Sequence, residues 1–163
     1  MNKYATFILL IFASILINIL QSSVFSPSSG KYFFPDFNLI LIIFIAISKD
    51  IRFGLALVLL NGFFLDVMSG YMIGINTLSR LSLYIILRRS SNHFDYESYT
   101  PVFISLLLGT LYVWIFIWTI LILKSVNDIK IIKNVIIYQA IINSSVGLLI
   151  FFIKNKIYAT VQK

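Results

Sequence analysis

The sequence predicts an all-α integral membrane protein, a compact bundle of six transmembrane helices, with five helices as the alternative count. Two observations carry this prediction. The 163 residues have a mean hydropathy of +0.96, with 60% hydrophobic and 12% charged residues, whereas a soluble domain has about 25% charged residues. The apolar residues also form repeated runs that approach the roughly 20 residues a helix needs to cross a bilayer.

Six apolar segments follow one another with short connections, which predicts a single polytopic membrane domain over residues 1–163. Segments two, three and four fall below the length of about 17 residues at the lower end for a full span. We therefore expect helices that do not fully cross, or a re-entrant hairpin formed by two of them. The predicted helices cover residues 5–24, 34–48, 53–68, 73–87, 101–123 and 135–153.

The basic residues predict the orientation. The first apolar run is longer than the core of a typical signal peptide, so we expect a retained helix, with a cleaved signal as the alternative. With both termini in the cytoplasm, the inner side has eight basic residues and the outer side four, an asymmetry that fits the positive-inside rule. The inner set is Lys3, Lys49, Arg52, Arg88, Arg89, Lys154, Lys156 and Lys163, and the outer set is Lys31, Lys124, Lys130 and Lys133.

Composition argues against several function classes. The net charge is +7, yet no basic stretch is long enough to indicate a nucleic-acid partner. Cysteine is absent, which excludes a disulfide framework and a thiolate metal site. The sole histidine, His93, lies near Asp95 and Glu97 without the spacing of a helical zinc motif, so a solvated loop is favoured over a metal site. We expect no catalytic residue, no metal, no cofactor and no enzyme activity.

Polar and small residues recur at helical spacing inside the apolar segments. Such stripes are typical of helix faces that pack together in a membrane, because small residues allow close approach and amides bond across helices. The alternative is a pocket for a small molecule. The stripes are Ser14, Asn18 and Gln21; Gly54, Val58, Gly62 and Asp66; Asn76, Arg80 and Tyr84; Ser105, Gly109 and Tyr112; and Gln139, Asn143 and Gly147.

The stretch GFFLDVMSGYMIGINTLSR places two charges in an apolar region. Charges within a membrane segment usually have a partner or a function. Asp66 lies near the outer end of segment three, and a snorkelling Arg80 could reach it from segment four. We expect an ion pair between them, with an interface or ligand role as the alternative. Gly70 and Gly74 suit a tight hairpin between the two segments.

The stretch FPDFN is typical of a helix start. Proline is favoured at the first helical position, and an acidic residue in the first turn complements the helix dipole. We therefore expect Pro35 and Asp36 to begin the second helix, with Asp36 in a capping role.

The stretches ILQSSVFSP and FPDFNLILIIFIAISKDIRFGLALVLLNGFFLDVMSGYMIGINTLSRLSLYIILRR together resemble the bacterial rod shape-determining MreD family. The shared order is Leu-Gln at the end of helix one, Pro-Asp before helix two, Gly-Phe-x-x-Asp, Ser-Gly and a last Gly. This chain has Asn-Gly-Phe-Phe-Leu-Asp where the family more often has Gly-Leu before the Asp. The family pattern maps onto Gln21, Pro35, Asp36, Gly62, Asp66, Gly70 and Gly74.

The resemblance implies a non-enzymatic component of the cell-elongation complex in the bacterial cytoplasmic membrane. It implies MreC as the main partner, with the MreB filament, RodA and the elongation transpeptidase in the same machinery, and membrane lipids around the chain. The fold is expected to resemble the substrate-binding subunits of energy-coupling-factor transporters. Candidate contact surfaces are the outer hairpin at residues 68–73, the inner loop at 88–99, and a groove on helix three at Gly54 and Gly62 for the single helix of MreC.

A small-molecule-binding subunit of such a transporter is the alternative function. Those subunits commonly dock through an Ala-x-x-x-Ala pattern on helix one, and here Leu9 stands between Ala5 and Ala13, so the pattern is absent. A ligand cavity would use the polar residues predicted for the outer half of the bundle, which are Asn18, Gln21, Asp66 and Arg80.

Overall fold

The computed structural model describes residues 3–24, 34–48, 53–69, 72–123 and 132–161. Over these residues the chain is all-helical with six helices, as the sequence predicts. In chain order they are α1 Lys3–Val24, α2 Phe37–Ile47, α3 Gly54–Ser69, α4 Ile75–Ser90, α5 Tyr99–Leu123 and α6 Ile132–Val161.

The helices differ in length. Within the described ranges, α5 and the stretch Ile136–Ile157 of α6 are long and apolar enough to cross a bilayer. The apolar helices Phe37–Ile47 and Gly54–Ser69 are shorter. At its C-terminal end, α6 runs to Val161, past the predicted end at residue 153. The extension carries Lys154 and Lys156 on helical rather than irregular chain.

The shortest helix, α2, lies at the centre. Apart from Asn38, its sequence FNLILIIFIAI is apolar on every face, a pattern typical of a helix that is buried all round. Eight of its residues are buried, and it contacts each of the other five helices. Ile42 and Ile43 are fully enclosed among core residues of α3, α4 and α5.

The other helices surround α2 in an arc. Neighbours in the arc are α1 with α3, α3 with α4, α4 with α5, and α5 with α6. In the part of the chain that the structure describes, α1 and α6 each contact α2 but do not contact each other. The arc is therefore open between α1 and α6, and the start of α2 lies behind this opening.

The end of α2 is held by α4. Helix C-termini leave backbone carbonyl groups without partners inside the helix. The guanidinium Nη1 of Arg88 donates hydrogen bonds to the carbonyl oxygens of Ala46 and Ser48. One arginine thus satisfies acceptors that α2 itself leaves open, and it ties the end of α4 to the end of α2.

Candidate functional site

Polar side chains from five helices meet beside the start of α2. We call this group the polar centre and define it as Asn18, Gln21, Asp36, Asn38, Asn61, Arg80 and Asn143. Asn18, Asn38, Asn61 and Asn143 are buried, as is Arg80. Buried polar groups are costly unless they are hydrogen-bonded. The hydrogen bonds within the centre therefore distinguish a network that stabilises helix packing from a pocket for a small molecule.

The ion pair of the polar centre joins Arg80 to Asp36. Arg80 Nη2 donates to Asp36 Oδ2 at 2.7 Å, with the side chains only 5% and 13% exposed. The prediction that Arg80 pairs with Asp66 is wrong. Arg80 lies on the face of α4 that packs on α2, and Asp66 lies against the first turn of α4, where other donors occupy it.

Asp36 has the predicted capping role. It is the N-cap of α2, and its Oδ1 accepts a hydrogen bond from the backbone N–H of Leu39 at 2.9 Å. Because α2 begins at Phe37, Pro35 precedes the cap and does not occupy the first helical position as predicted. The same carboxylate also accepts from Gln21 Nε2 at 3.3 Å. Its backbone N–H donates to Asn143 Oδ1 at 2.7 Å, which joins α6 to the start of α2.

A chain of amides continues from Gln21 across α1, α2 and α3. Asn38 Nδ2 donates to Asn18 Oδ1 at 2.8 Å and to Gln21 Oε1 at 3.1 Å. Asn61 Nδ2 donates to Asn38 Oδ1 at 3.0 Å and to Ser14 Oγ at 2.8 Å. Hydrogen bonds between helices stabilise packing inside a membrane, where water does not compete. The stripe of Ser14, Asn18 and Gln21 thus faces inward, in accord with the packing interpretation.

Asn38 and Asn61 are members of the centre that the sequence analysis missed. Each is the only amide in its helix, within NLILIIFIAI and LALVLLNGFF. The one sequence signal for either residue was a single amide within a run of apolar residues. It was weak because neither residue repeats at helical spacing with another polar residue of the kind that marks a stripe.

Asp66 joins the end of α3 to the start of α4 by hydrogen bonds. Its carboxylate accepts hydrogen bonds from the backbone N–H groups of Gly74, Asn76 and Thr77 at 2.9, 2.9 and 3.1 Å. It also accepts from the Thr77 hydroxyl. These donors lie at the N-terminus of α4, where backbone N–H groups lack partners within the helix and favour a negative charge. Gly74 itself has φ of 101°, a left-handed conformation that favours glycine.

We expect Asp66→Ala to lower the free energy of unfolding by about 2–3 kcal/mol, because partly buried N–H groups at the start of α4 lose a charged acceptor. Asp95→Ala is the matched control, since Asp95 is exposed and accepts only from Glu97 N among the contacts seen. It should change stability by no more than about 0.5 kcal/mol. The free energy of unfolding of both variants is measured by circular dichroism in mixed micelles. Equal losses of stability in the two variants would contradict the role of Asp66 in holding the start of α4.

Gly54 and Gly62 are buried in contacts between helices, so the groove predicted for a partner helix at these residues is wrong. A Cβ added at Gly62 would lie 2.6 Å from the Cα of Thr77 on α4. A Cβ at Gly54 would lie 2.5 Å from the Tyr84 hydroxyl, also on α4. The small residues of α3 therefore allow α3 and α4 to pack closely, and α4 occupies the face that Gly54 and Gly62 share.

The predicted hairpin surface, residues 68–73, carries exposed apolar side chains. Val67 and Met68 are exposed at the end of α3, and Ile73 is 84% exposed just before α4. Gly70, also predicted for this hairpin, lies outside the described residues. The hairpin therefore has apolar side chains on a turn that the Asp66 hydrogen bonds hold.

The predicted inner loop, residues 88–99, folds back on the bundle. A cavity of about 490 Å³ lies between α4 and α5, and Phe94 and Tyr96 from the loop line it together with Leu87 and Ile104. The Tyr96 hydroxyl accepts from Ser105 Oγ at 3.2 Å. His93, Asp95 and Glu97 are exposed. In the described ranges no group of three or more His, Cys, Asp or Glu side chains could hold a metal ion.

The model of one family, described as rod shape-determining protein MreD, matches residues 2–161, which is nearly the whole chain. No curated protein and no solved structure matches. The predicted likeness to transporter substrate-binding subunits stays a prediction.

Proposed function

The chain belongs to the family of rod shape-determining protein MreD, and from this premise we propose that it is a non-enzymatic adapter that docks MreC. Family membership supports a role in rod shape determination within a membrane protein family. The adapter would help to organise lateral peptidoglycan synthesis by holding MreC beside MreB, RodA and the elongation transpeptidase. No cofactor enters this proposal, since docking depends on surface shape and apolar contact.

The proposed location is the bacterial cytoplasmic membrane, with a multi-pass topology and both termini in the cytoplasm. Two long apolar helices support insertion. Large apolar side chains on the outward faces of the bundle also support it, because a soluble monomer seldom exposes contiguous apolar surface on this scale. Examples of these exposed side chains are Leu9, Phe12, Leu16, Leu108, Ile115, Ile141, Leu149 and Phe152.

The observation that carries the docking proposal is the hairpin between α3 and α4. Asp66 makes four hydrogen bonds to residues that begin α4, so the end of α3 and the start of α4 are held together before any partner binds. A preorganised surface loses less entropy on association. Met68 and Ile73 project from this turn as apolar anchors. The inner loop is less suited to docking because Phe94 and Tyr96 already line the cavity of the chain itself.

Ile73→Ser tests the docking surface. We expect the amount of MreC that co-purifies in mild detergent to fall roughly tenfold or more, because truncation of a central interface anchor costs about 2 kcal/mol. Phe94→Ser is the matched control, since Phe94 is also an exposed large apolar residue but lies in the loop after α4. It should retain MreC at the wild-type level.

Three outcomes would contradict the proposal. Loss of MreC from Phe94→Ser but not from Ile73→Ser would place the contact on the inner loop. Retention of MreC by both variants would exclude both surfaces. The third outcome comes from mass spectrometry of the proteins that co-purify with the wild-type chain. Recovery of a pair of transporter ATPases in place of MreC, RodA and the elongation transpeptidase would contradict the proposal.

A further inference from the structure

The cavity between α4 and α5 has the size of a binding site. Its volume of about 490 Å³ lies within the range of about 300–1,000 Å³ that is typical of sites for small molecules. Small side chains leave this space, since Ser90 lines it from α4, and Ser105 and Gly109 line it from α5. Protein interiors have few voids larger than a water molecule, because unfilled space costs contacts between atoms. The size of the cavity therefore indicates a ligand.

The wall of the cavity is apolar along most of its length. Leu87 lines it from α4, and Ile104 and Leu108 line it from α5. The Ser105 hydroxyl in the wall donates a hydrogen bond to the Tyr96 hydroxyl at 3.2 Å, so these two polar groups satisfy each other. Apolar cavities exclude water and take up apolar molecules. The chemistry of the wall therefore favours a hydrocarbon.

The cavity is long and narrow. Its lining on α5 extends from Thr100 to Tyr112, about 18 Å at a rise of 1.5 Å per residue. A volume of about 490 Å³ over this length corresponds to a width of about 6 Å, whereas an α-helix is about 10–12 Å across. One leaflet contributes half of a hydrocarbon core that is about 30 Å thick. The cavity therefore fits an extended acyl chain from one leaflet and is too narrow for a partner helix.

The cavity opens to the outer surface of the bundle. Ile86 is 50% exposed on its α4 side, and Ile104 and Leu108 are 47% and 56% exposed on its α5 side. In the proposed membrane location, these side chains face the acyl chains of the bilayer. A lipid chain can thus enter the cavity sideways.

The end of the cavity beside the loop after α4 is polar and positively charged. Ser90 and Thr100 line it there. A ring contact between Tyr99 and Phe151 brings the end of α6 to the same end of the bundle. Among the described residues at this end, the basic side chains outnumber the acidic ones, with Arg88, Arg89, Lys154 and Lys156 against Asp95 and Glu97. Basic side chains near a membrane surface attract anionic lipids.

We propose that the cavity between α4 and α5 binds one acyl chain of an anionic phospholipid, with the headgroup beside Ser90 and Thr100. The inference rests on the proposed membrane location and is independent of docking to MreC. Phe94 and Tyr96, which line the cavity from the loop, contact the chain close to its headgroup. The lipid fills the space between two helices and so stabilises the packing of α4 on α5.

Native mass spectrometry of the full chain in mild detergent tests the proposal, with equal amounts of phosphatidylglycerol and phosphatidylcholine added to the micelles. We expect one phosphatidylglycerol molecule to remain bound to the wild type after surface lipid is washed away. Ile86→Trp should lower the bound fraction about tenfold, because the larger side chain occupies space at the opening that the acyl chain needs. Ile85→Trp is the matched control, since Ile85 is 52% exposed on the same helix but does not line the cavity. It should retain the lipid at the wild-type level.

Three results would overturn the proposal. Folded wild-type protein without a retained phospholipid would show that the cavity does not bind one. Equal retention by Ile86→Trp and Ile85→Trp would mean that the lipid lies elsewhere on the surface. Retention of phosphatidylcholine as often as phosphatidylglycerol would exclude selection of an anionic headgroup. Failure of the proposed membrane location is a separate result, because the chain would then be absent from the membrane fraction before purification.

A second pair of variants on α5 covers the case in which Ile86→Trp fails to fold, as judged by circular dichroism. Leu108→Trp blocks the cavity from α5, and Ile115→Trp is its control, because Ile115 is about as exposed as Leu108 on the same helix but lies outside the lining. We expect the lipid to be lost from Leu108→Trp and retained by Ile115→Trp. Retention by both would overturn the proposal.

Discussion

Asp36→Ala should lower the free energy of unfolding by about 3–5 kcal/mol, because it leaves the guanidinium of Arg80 buried without its carboxylate. The loss of the α2 cap adds about 1 kcal/mol to this cost. Both effects have one origin. A single carboxylate begins the central helix and balances the buried cation. We expect this variant to be among the most destabilised in the chain.

A double-mutant cycle separates the ion pair from the cap. The variants are Asp36→Asn, Arg80→Met and the combination of the two, each unfolded by denaturing detergent in mixed micelles. Asparagine is also a good N-cap residue, so Asp36→Asn removes the charge and largely keeps the cap. The double variant should lose less than the sum of the single losses, because neither charge is then left without its partner.

Arg89→Met is the control for the cycle, since Arg89 is exposed on the same helix. Its effect should stay within about 0.5 kcal/mol. Strict additivity of the two substitutions at Asp36 and Arg80 would mean that their 2.7 Å contact contributes no coupling energy. The large loss expected for Asp36→Ala would then have to come from the cap alone.

The sequence predicted the capping role of Asp36 but not its partner, and the reason is topological. Local signals suffice for a cap, because a proline, an acidic residue and an apolar run are adjacent in FPDFN. The ion pair joins residues 44 positions apart. Sequence reasoning paired Arg80 with Asp66 because the two are near in sequence and flank one turn. It could not anticipate that backbone N–H groups of α4 would occupy Asp66.

The glycine stripe of α3 shows a second limit. Spacing of four residues predicts that Gly54 and Gly62 share one helix face and allow close approach. It does not say whether the approaching helix belongs to the same chain. The structure shows α4 of the same chain at both positions. Helical spacing was therefore enough to predict that this face of α3 packs against another helix. Whether that helix is α4 or the helix of MreC can be read only from the arrangement of the helices in the structure.

Gly62→Ala should lower the free energy of unfolding by about 3 kcal/mol, because the new Cβ would meet the α4 backbone. The nearest atom is the Cα of Thr77 at 2.6 Å, with the Thr77 backbone N at 3.2 Å. Backbone atoms cannot move out of the way by a change of rotamer, so α3 and α4 must separate, and overpacking of this kind costs about 1–3 kcal/mol or occasionally more. The gain of up to about 1 kcal/mol in helix propensity offsets only part of this cost.

Gly109→Ala is the matched control for that substitution, because it is another buried glycine inside a helix. A Cβ there would lie 3.0 Å from Ile43 Cδ1, the far end of a side chain, and 3.5 Å from Leu83 Cδ2. A shift of a few tenths of an ångström in Ile43 is enough to accommodate it. We therefore expect its stability to remain within about 1 kcal/mol of the wild type, since helix propensity favours alanine.

The two glycine variants also connect packing to the proposed docking. Separation of α3 from α4 would displace Gly74, Asn76 and Thr77 from the Asp66 carboxylate, so the hairpin that carries Ile73 would lose its hydrogen-bonded order. Folded Gly62→Ala protein should thus co-purify less MreC than folded Gly109→Ala protein does. If the two variants differ in stability as expected but co-purify equal amounts of MreC, binding of MreC does not depend on the geometry of this hairpin.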